Sequence, residues 1–141
     1  MAFTIREAAL DDWEGIYRLN VELGYDYSNT HRRLERILPD ETAKIYVAEA
    51  DGLLAGYIHT ADYECLYMDS LKDILALVVL EQCRGLGLGR ALLTAAEEWA
   101  RQTGAAGVRL VSGMNRIGAH RFYEACGYVN RKDQKNFVKW F

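Results

Sequence analysis

Between residues 82 and 90 the chain reads Gln82-Cys83-Arg84-Gly85-Leu86-Gly87-Leu88-Gly89-Arg90. No other stretch restricts the fold as tightly. Upstream, Ile74 to Leu80 is a near-continuous apolar run, the pattern of a strand buried on both faces. Downstream, Leu88, Ala91, Leu92, Ala95 and Trp99 recur at helical spacing on one face, and Gly104 closes the helix. A buried strand must therefore pass into an amphipathic helix through a turn carrying three glycines. Successive amides at such a turn point inward, and the helix N-terminus adds partial positive charge, which together form a pocket for a pyrophosphate. Glycine is required because a Cβ would block either the approach of a phosphate or a positive φ.

The remaining segments alternate between strand-like and helix-like patterns. Phe3 to Arg6 predicts a first strand, and Asp11 or Asp12 caps a helix carrying Trp13, Ile16, Leu19 and Leu23 at helical spacing. A short second helix follows Ser28–Thr30, turns Leu34, Ile37 and Leu38 inward, and stops near Pro39. Ile45 to Glu49 and Leu53 to Tyr63 flank Ala50-Asp51-Gly52, which predicts a hairpin with an Asp-Gly turn. Val108 to Ser112 reads as a short strand. Asn115 then caps a last helix with Ala119, Phe122 and Cys126 inward and Gly127 at its C′ position. Tyr128 to Arg131 and Phe137 to Phe141 predict a terminal pair of strands. The order implies an α/β fold, one mixed sheet with helices on both faces. With no linker, repeat or low-complexity tract, residues 1–141 are expected to form a single domain able to bury a core.

Composition narrows the function classes. A formal net charge of −3 argues against a nucleic-acid surface, which needs clustered Lys and Arg. No apolar run approaches a membrane span, and the opening MAFTIREAALDD lacks the basic-then-apolar layout of a signal peptide. Cys65, Cys83 and Cys126 are odd in number and show no CxxC spacing, which favours reduced thiols in the cytoplasm over disulfides or a metal site.

Three readings of the glycine turn compete. A Walker loop requires Gly-Lys followed by Ser or Thr, and the turn ends in Gly89-Arg90-Ala91. A dinucleotide fingerprint wants a small residue where Arg90 stands and an acid ending the next strand, and Val108 to Ser112 has none. Arg84-Gly85-Leu86-Gly87-Leu88-Gly89, by contrast, resembles the R/Q-x-x-G-x-G/A pattern of the GNAT superfamily of N-acetyltransferases. Asn115, Ala119, Phe122-Tyr123 and Gly127-Tyr128 resemble that family's second signature, and the order of elements is similar along nearly the whole chain.

The resemblance implies a GNAT-like, mostly antiparallel mixed sheet with a splayed parallel strand pair, and acetyl-CoA as the donor. It implies that main-chain atoms of Leu77 and Val79 hold the pantetheine arm, that Arg84, Gly85, Leu86, Gly87, Leu88 and Gly89 hold the pyrophosphate, and that Asn115 touches the CoA arm. Tyr123 is the residue expected to serve the departing thiolate. For a general base, some relatives place a glutamate early on the strand before the turn. Here that stretch reads Met68-Asp69-Ser70-Leu71-Lys72-Asp73. Asp73 shares parity with Leu77 and Val79, which turns it to the cofactor side. A solvated Asp73 paired with Lys72 competes with that reading, and His59 is another candidate base.

The expected reaction is transfer of acetyl to a primary amine on a small molecule or peptide, with no nucleic acid or membrane involved. Asp62, Glu64, Asp69 and several tyrosines lie in the regions that set the acceptor in this family, a composition suited to a cation. A non-catalytic acyl-CoA sensor and a nucleotide-binding module remain as alternatives. The aromatic end Phe137-Val138-Lys139-Trp140-Phe141 raises a homodimer as one way to cover it.

Overall fold

Five strands pair in chain order, β1 (Thr4–Glu7), β2 (Ala43–Ala50), β3 (Leu53–Cys65), β4 (Met68–Val79) and β5 (Gly107–Leu110). The first four are antiparallel, and β4 runs parallel to β5. This computed structural model describes residues 2–141, which divide into a unit ending at Leu110 and a smaller unit, Val111–Phe141.

In the first unit the β2–β3 turn has positive φ at both Asp51 and Gly52, the geometry an Asp-Gly pair favours in a two-residue hairpin. Helices α1 (Trp13–Leu23) and α2 (Thr30–Ile37) cover one face of the sheet. There Ile16, Leu19 and Leu34 pack on Ile45, Val47, Tyr57 and Val78. Helix α3 (Leu88–Gln102) covers the other face through Leu88, Leu92, Leu93 and Ala96, all essentially without exposure. Helices thus lie on both faces, as the alternation of patterns implied. The acid before α1 plays a different part from the expected cap. Asp12 makes no side-chain cap bond to α1; its carboxylate accepts the Ala9 N–H at 2.7 Å and pairs with Arg6 at 2.8 Å.

Two features of β4 escape a reading by apolar pattern. The strand begins at Met68, six residues before its apolar run, because polar residues on a hairpin arm pair as well as apolar ones. It also carries a bulge. Thr60 faces Ile74 and His59 faces Ala76, so Leu75 is the extra residue.

In the second unit helix α4 spans Ile117–Ala125. Gly127, in the left-handed region, follows its C-cap Cys126, and the Tyr128 N–H returns to the Tyr123 carbonyl at 3.0 Å. The capping position is Arg116, which corrects the expectation for Asn115: that residue lies two positions before the helix. The terminal strands are a second correction. Residues 128–141 form no strand, and Phe137, Trp140 and Phe141 are exposed. A period-two aromatic pattern reports strand propensity, and a strand still needs a paired edge to form. No helix among the described residues is long and apolar enough to cross a membrane.

Gly56 marks where β3 lies tightest under α3. A Cβ there would sit 2.8 Å from the Val78 carbonyl oxygen and 3.1 Å from Leu92 Cδ1. Because the first neighbour is backbone and the strand cannot yield, Gly56→Ala is expected to cost about 1–3 kcal/mol, read by chemical denaturation. The wild-type midpoint in this variant would show that the two layers have slack.

Candidate functional site

The end of β4 combines three features. First, its hydrogen-bond partner on one side runs out. Pairing with β5 covers Leu71↔Gly107 to Ile74↔Leu110 and stops, so from Leu75 onward no strand of the first unit lies on that edge. Second, the direction of the free groups follows from one bond. Leu80 donates its N–H to the Ala55 carbonyl at 2.8 Å, which makes Ala55 and Leu80 a hydrogen-bonded pair. Antiparallel pairs alternate, so Val79 opposite Gly56 and Leu77 opposite Ile58 are non-hydrogen-bonded pairs. The main-chain N–H and C=O groups of Leu77 and Val79 therefore point away from β3, toward the edge that β5 no longer pairs.

Third, the chain turns into α3 at once. After a 3₁₀ turn over Glu81–Cys83, Gly85 and Gly87 take φ values of 79° and 92°, and Gly87 is the cap residue of α3. A Cβ at Gly87 would meet nothing within 4 Å, so backbone conformation, not crowding by the protein, selects glycine there. The first intrahelical bond is Ala91 N–H to the Gly87 carbonyl at 3.0 Å. The opening amides of α3 lack intrahelical acceptors by geometry, an arrangement that binds anions. Cys83 and Leu88 are buried and anchor the turn on either side, while the Glu22 carboxylate of α1 accepts the Glu81 N–H at 2.6 Å. Arg84 donates Nε–H to the Val79 carbonyl at 3.4 Å, so its charge lies over the end of β4.

The bulge at Leu75 changes which side chains share a face. Counted along the sequence, Asp73 has the parity of Leu77 and Val79. The extra residue reverses that relation, so Asp73 faces the α1/α2 side with Ala76 and Val78, opposite to Leu77 and Val79. The expected shared face is thereby corrected. Asp73 meets Arg109 of β5, Nη1 to Oδ1 at 2.9 Å, and the Arg109 guanidinium lies 4.2 Å from the Tyr63 ring centroid. Burial pushes the Asp73 carboxyl up, while the Arg109 charge and hydrogen bond pull it down. His59 lies on the same face, its imidazole held below the ordinary 6.5 by burial and by the Arg33 charge.

Lys72, next in sequence, points to the opposite face. It is buried, ion-paired to Asp62, with Nζ 4.1 Å from the Trp99 ring centroid of α3. Lys72 therefore pairs with Asp62 and leaves Asp73 to Arg109. The acids expected to gather for a cation are thus separated: Asp62 and Asp73 lie on opposite faces, and Glu64 accepts the Ser70 hydroxyl at 2.8 Å. Arg109 was missed in the sequence, where its one signal is a lone cation in an apolar strand.

In the second unit, Tyr123 is half-buried on α4, with ring centroids of Phe122 and Tyr128 at 5.3 and 6.0 Å. Burial raises its phenol above the ordinary 10, with a smaller opposing effect from Arg116. At neutral pH the hydroxyl is a proton-bearing donor.

The profile of the Acetyltransferase (GNAT) family matches residues 5–128, nearly all of the chain. The chain belongs to the GNAT family. The match runs from β1 through the glycine turn to the Tyr128 that follows α4. Among GNAT relatives, the aminoalkylphosphonate N-acetyltransferase of Salmonella typhimurium (strain LT2) is 33% identical over 128 residues, spanning 88% of this chain and 83% of its own. An aminoglycoside N(6')-acetyltransferase type 1 of Stenotrophomonas maltophilia is 30% identical over 130 residues, spanning 89% and 85%. Two solved GNAT structures share the fold. They are a glucosamine-6-phosphate N-acetyltransferase from Arabidopsis thaliana (TM-score 0.83, 24% identity, 100% and 99% covered) and AAC(6')-Iy in complex with a CoA bisubstrate analogue (TM-score 0.88, 18% identity, 100% of both chains). The chain is thus an N-acetyltransferase, of a family that uses acetyl-CoA. Of the residues expected to hold the donor, Leu77, Val79 and Arg84 to Gly89 form one continuous tract at the end of β4, while Asn115 and Tyr123 belong to the second unit.

Proposed function

We propose that this GNAT protein transfers an acetyl group from acetyl-CoA to a primary amine by direct attack. One observation carries the reading. The main-chain groups of Leu77 and Val79, which no strand of the first unit pairs, lead straight into the glycine turn and the first amides of α3. A long polar arm ending in a pyrophosphate suits that track: amide-to-amide contacts along Leu77 and Val79, then phosphate at Gly85 to Gly89 with Arg84 adding charge. Asn115 is proposed to touch the CoA arm, as in the family signature that it matches. Acetyl-CoA supplies an activated thioester, and the chain's own residues do the rest.

The acceptor must lose a proton before it attacks, because an ammonium with a pKa of about 10 has no lone pair. We assign that step to Asp73, whose burial makes it a stronger base than a solvated aspartate. We assign Tyr123 to the departing thiolate. A thiol of about 8.5 against a phenol of about 10 leaves full proton transfer uphill by about 2 kcal/mol, and burial of Tyr123 widens the gap. Its role is therefore to donate a hydrogen bond.

The relatives named for aminoalkylphosphonates and aminoglycosides support a small primary amine as acceptor. Of the acids expected to meet its ammonium, Asp62 is turned to the other face and paired with Lys72, and Asp73 is itself paired with Arg109. Three unpaired cysteines favour a reducing, cytoplasmic setting. A homodimer would cover the exposed Phe137, Trp140 and Phe141.

Acetyl-CoA is expected to raise the melting temperature while NAD and ATP do not. Gly87→Ala should fold with a loss of about 1–2 kcal/mol from the positive φ, yet lose the acetyl-CoA shift, because its Cβ enters the cradle. Retention of the shift would refute the phosphate assignment. Tyr123→Phe should lower kcat by about ten- to a thousandfold with CoA affinity little changed, and Asp73→Asn should lower kcat with recovery at high pH, where more amine is neutral. Binding without turnover across a panel of amines in a thiol-release assay would make the protein a sensor instead. Light scattering at micromolar concentration should give twice the chain mass, and a monomer mass disposes of the dimer.

A further inference from the structure

Arg109 and Tyr63 lie outside every role assigned so far, yet they frame Asp73. Parallel pairing puts Arg109 directly across from Asp73, one position before β4 and β5 part. Tyr63 completes the row on β3, two residues along the same face from Ala61, which pairs with Asp73. Three neighbouring strands thus present Tyr63, Asp73 and Arg109 side by side. The guanidinium is held twice, by the ring 4.2 Å below it and by the carboxylate at 2.9 Å.

The contact to the acid is one-sided. Nη1 takes Oδ1, and Oδ2 has no hydrogen-bond partner among the described residues, which leaves one oxygen of a fixed carboxylate to receive a proton. Both side chains are less than one-fifth exposed, at 17% and 19%, so solvent screens the pair poorly. We propose that Arg109, steadied by Tyr63, is the positioning residue of the base Asp73, aiming its free oxygen and keeping it ionised.

This inference rests on Asp73 being the base. Burial alone moves Asp73 toward protonation, which works against its ionised form, and Arg109 opposes it. Also titratable on this face are Tyr57 and Tyr63, whose phenols are both shifted upward, His59, held below its ordinary value by burial, and Arg33 of α2, which acts on His59. Lys72 and Asp62 neutralise each other across the sheet. The charge that decides the state of Asp73 is therefore that of Arg109.

The test uses Arg109→Gln in the full chain, with the Asp73 carboxyl carbon titrated by NMR and kcat/KM measured against pH. Loss of the guanidinium should move the Asp73 midpoint and the acid limb of kcat/KM upward together by about one to three pH units. Above the new midpoint the rate should return to within about threefold of wild type, and Arg109→Lys should restore both positions. Tyr63→Leu removes the ring but leaves the charge; it should move both readouts the same way by less, and it carries the test if Arg109→Gln does not fold. A midpoint and limb that stay in place overturn the role of Arg109 even where Asp73→Asn is slow. An Asp73→Asn enzyme with wild-type kcat at every pH overturns the base itself, whatever Arg109 does.

Discussion

Two parallel strands that share hydrogen bonds for four residues and then cease to pair control everything downstream. While β4 and β5 pair, from Leu71↔Gly107 to Ile74↔Leu110, each main-chain group on that edge is satisfied. Beyond Ile74 the main-chain groups of Leu77 and Val79 point to the same side with no strand of the first unit beside them, and the Val79 carbonyl takes the Arg84 side chain. Peptide groups need partners, and along a strand edge they recur at fixed spacing, which suits the polar arm of the proposed donor. The glycine turn then follows at the end of that edge. The track and the terminus proposed for the donor both come from one interruption in one ladder.

The bulge at Leu75 sits at the same point, and its effect is on side chains. A strand alternates faces, so Lys72 and Asp73 must part company, and each finds an opposite charge on its own side. On the α3 face a buried Lys72 meets the buried Trp99 ring and a more exposed Asp62. On the α1/α2 face Asp73, Arg109 and Tyr63 stay partly open. Without the extra residue, Asp73 would share a face with Leu77 and Val79. With it, the main-chain groups proposed for the donor and the carboxylate are supplied by one strand but project differently.

Much of this was legible. The glycine turn, the α3 face from Leu88 to Trp99, the Asp51-Gly52 hairpin and the α/β alternation depend on local chemistry: positive φ, helical spacing and apolar pattern. What failed to read locally depends on partners distant in sequence. The start of β4 at Met68 requires β3 opposite it, the bulge requires two strands to be compared, and the Lys72–Asp62 and Asp73–Arg109 pairs join residues 10 and 36 apart. The expected strands over 128–131 and 137–141 failed for the same reason, since aromatic alternation supplies no edge to pair with. Asn115 had the chemistry of a cap but not the position, because α4 starts at Ile117.

By itself, then, the sequence determined the family, the glycine turn between strand and helix, and the helices that pack on each face of the sheet. These are encoded in short windows where backbone freedom and side-chain period act directly. Only the tertiary structure decided which acid meets which base and which face Asp73 occupies. Those depend on the register between strands, and a single inserted residue at Leu75 reverses the answer without altering any local pattern.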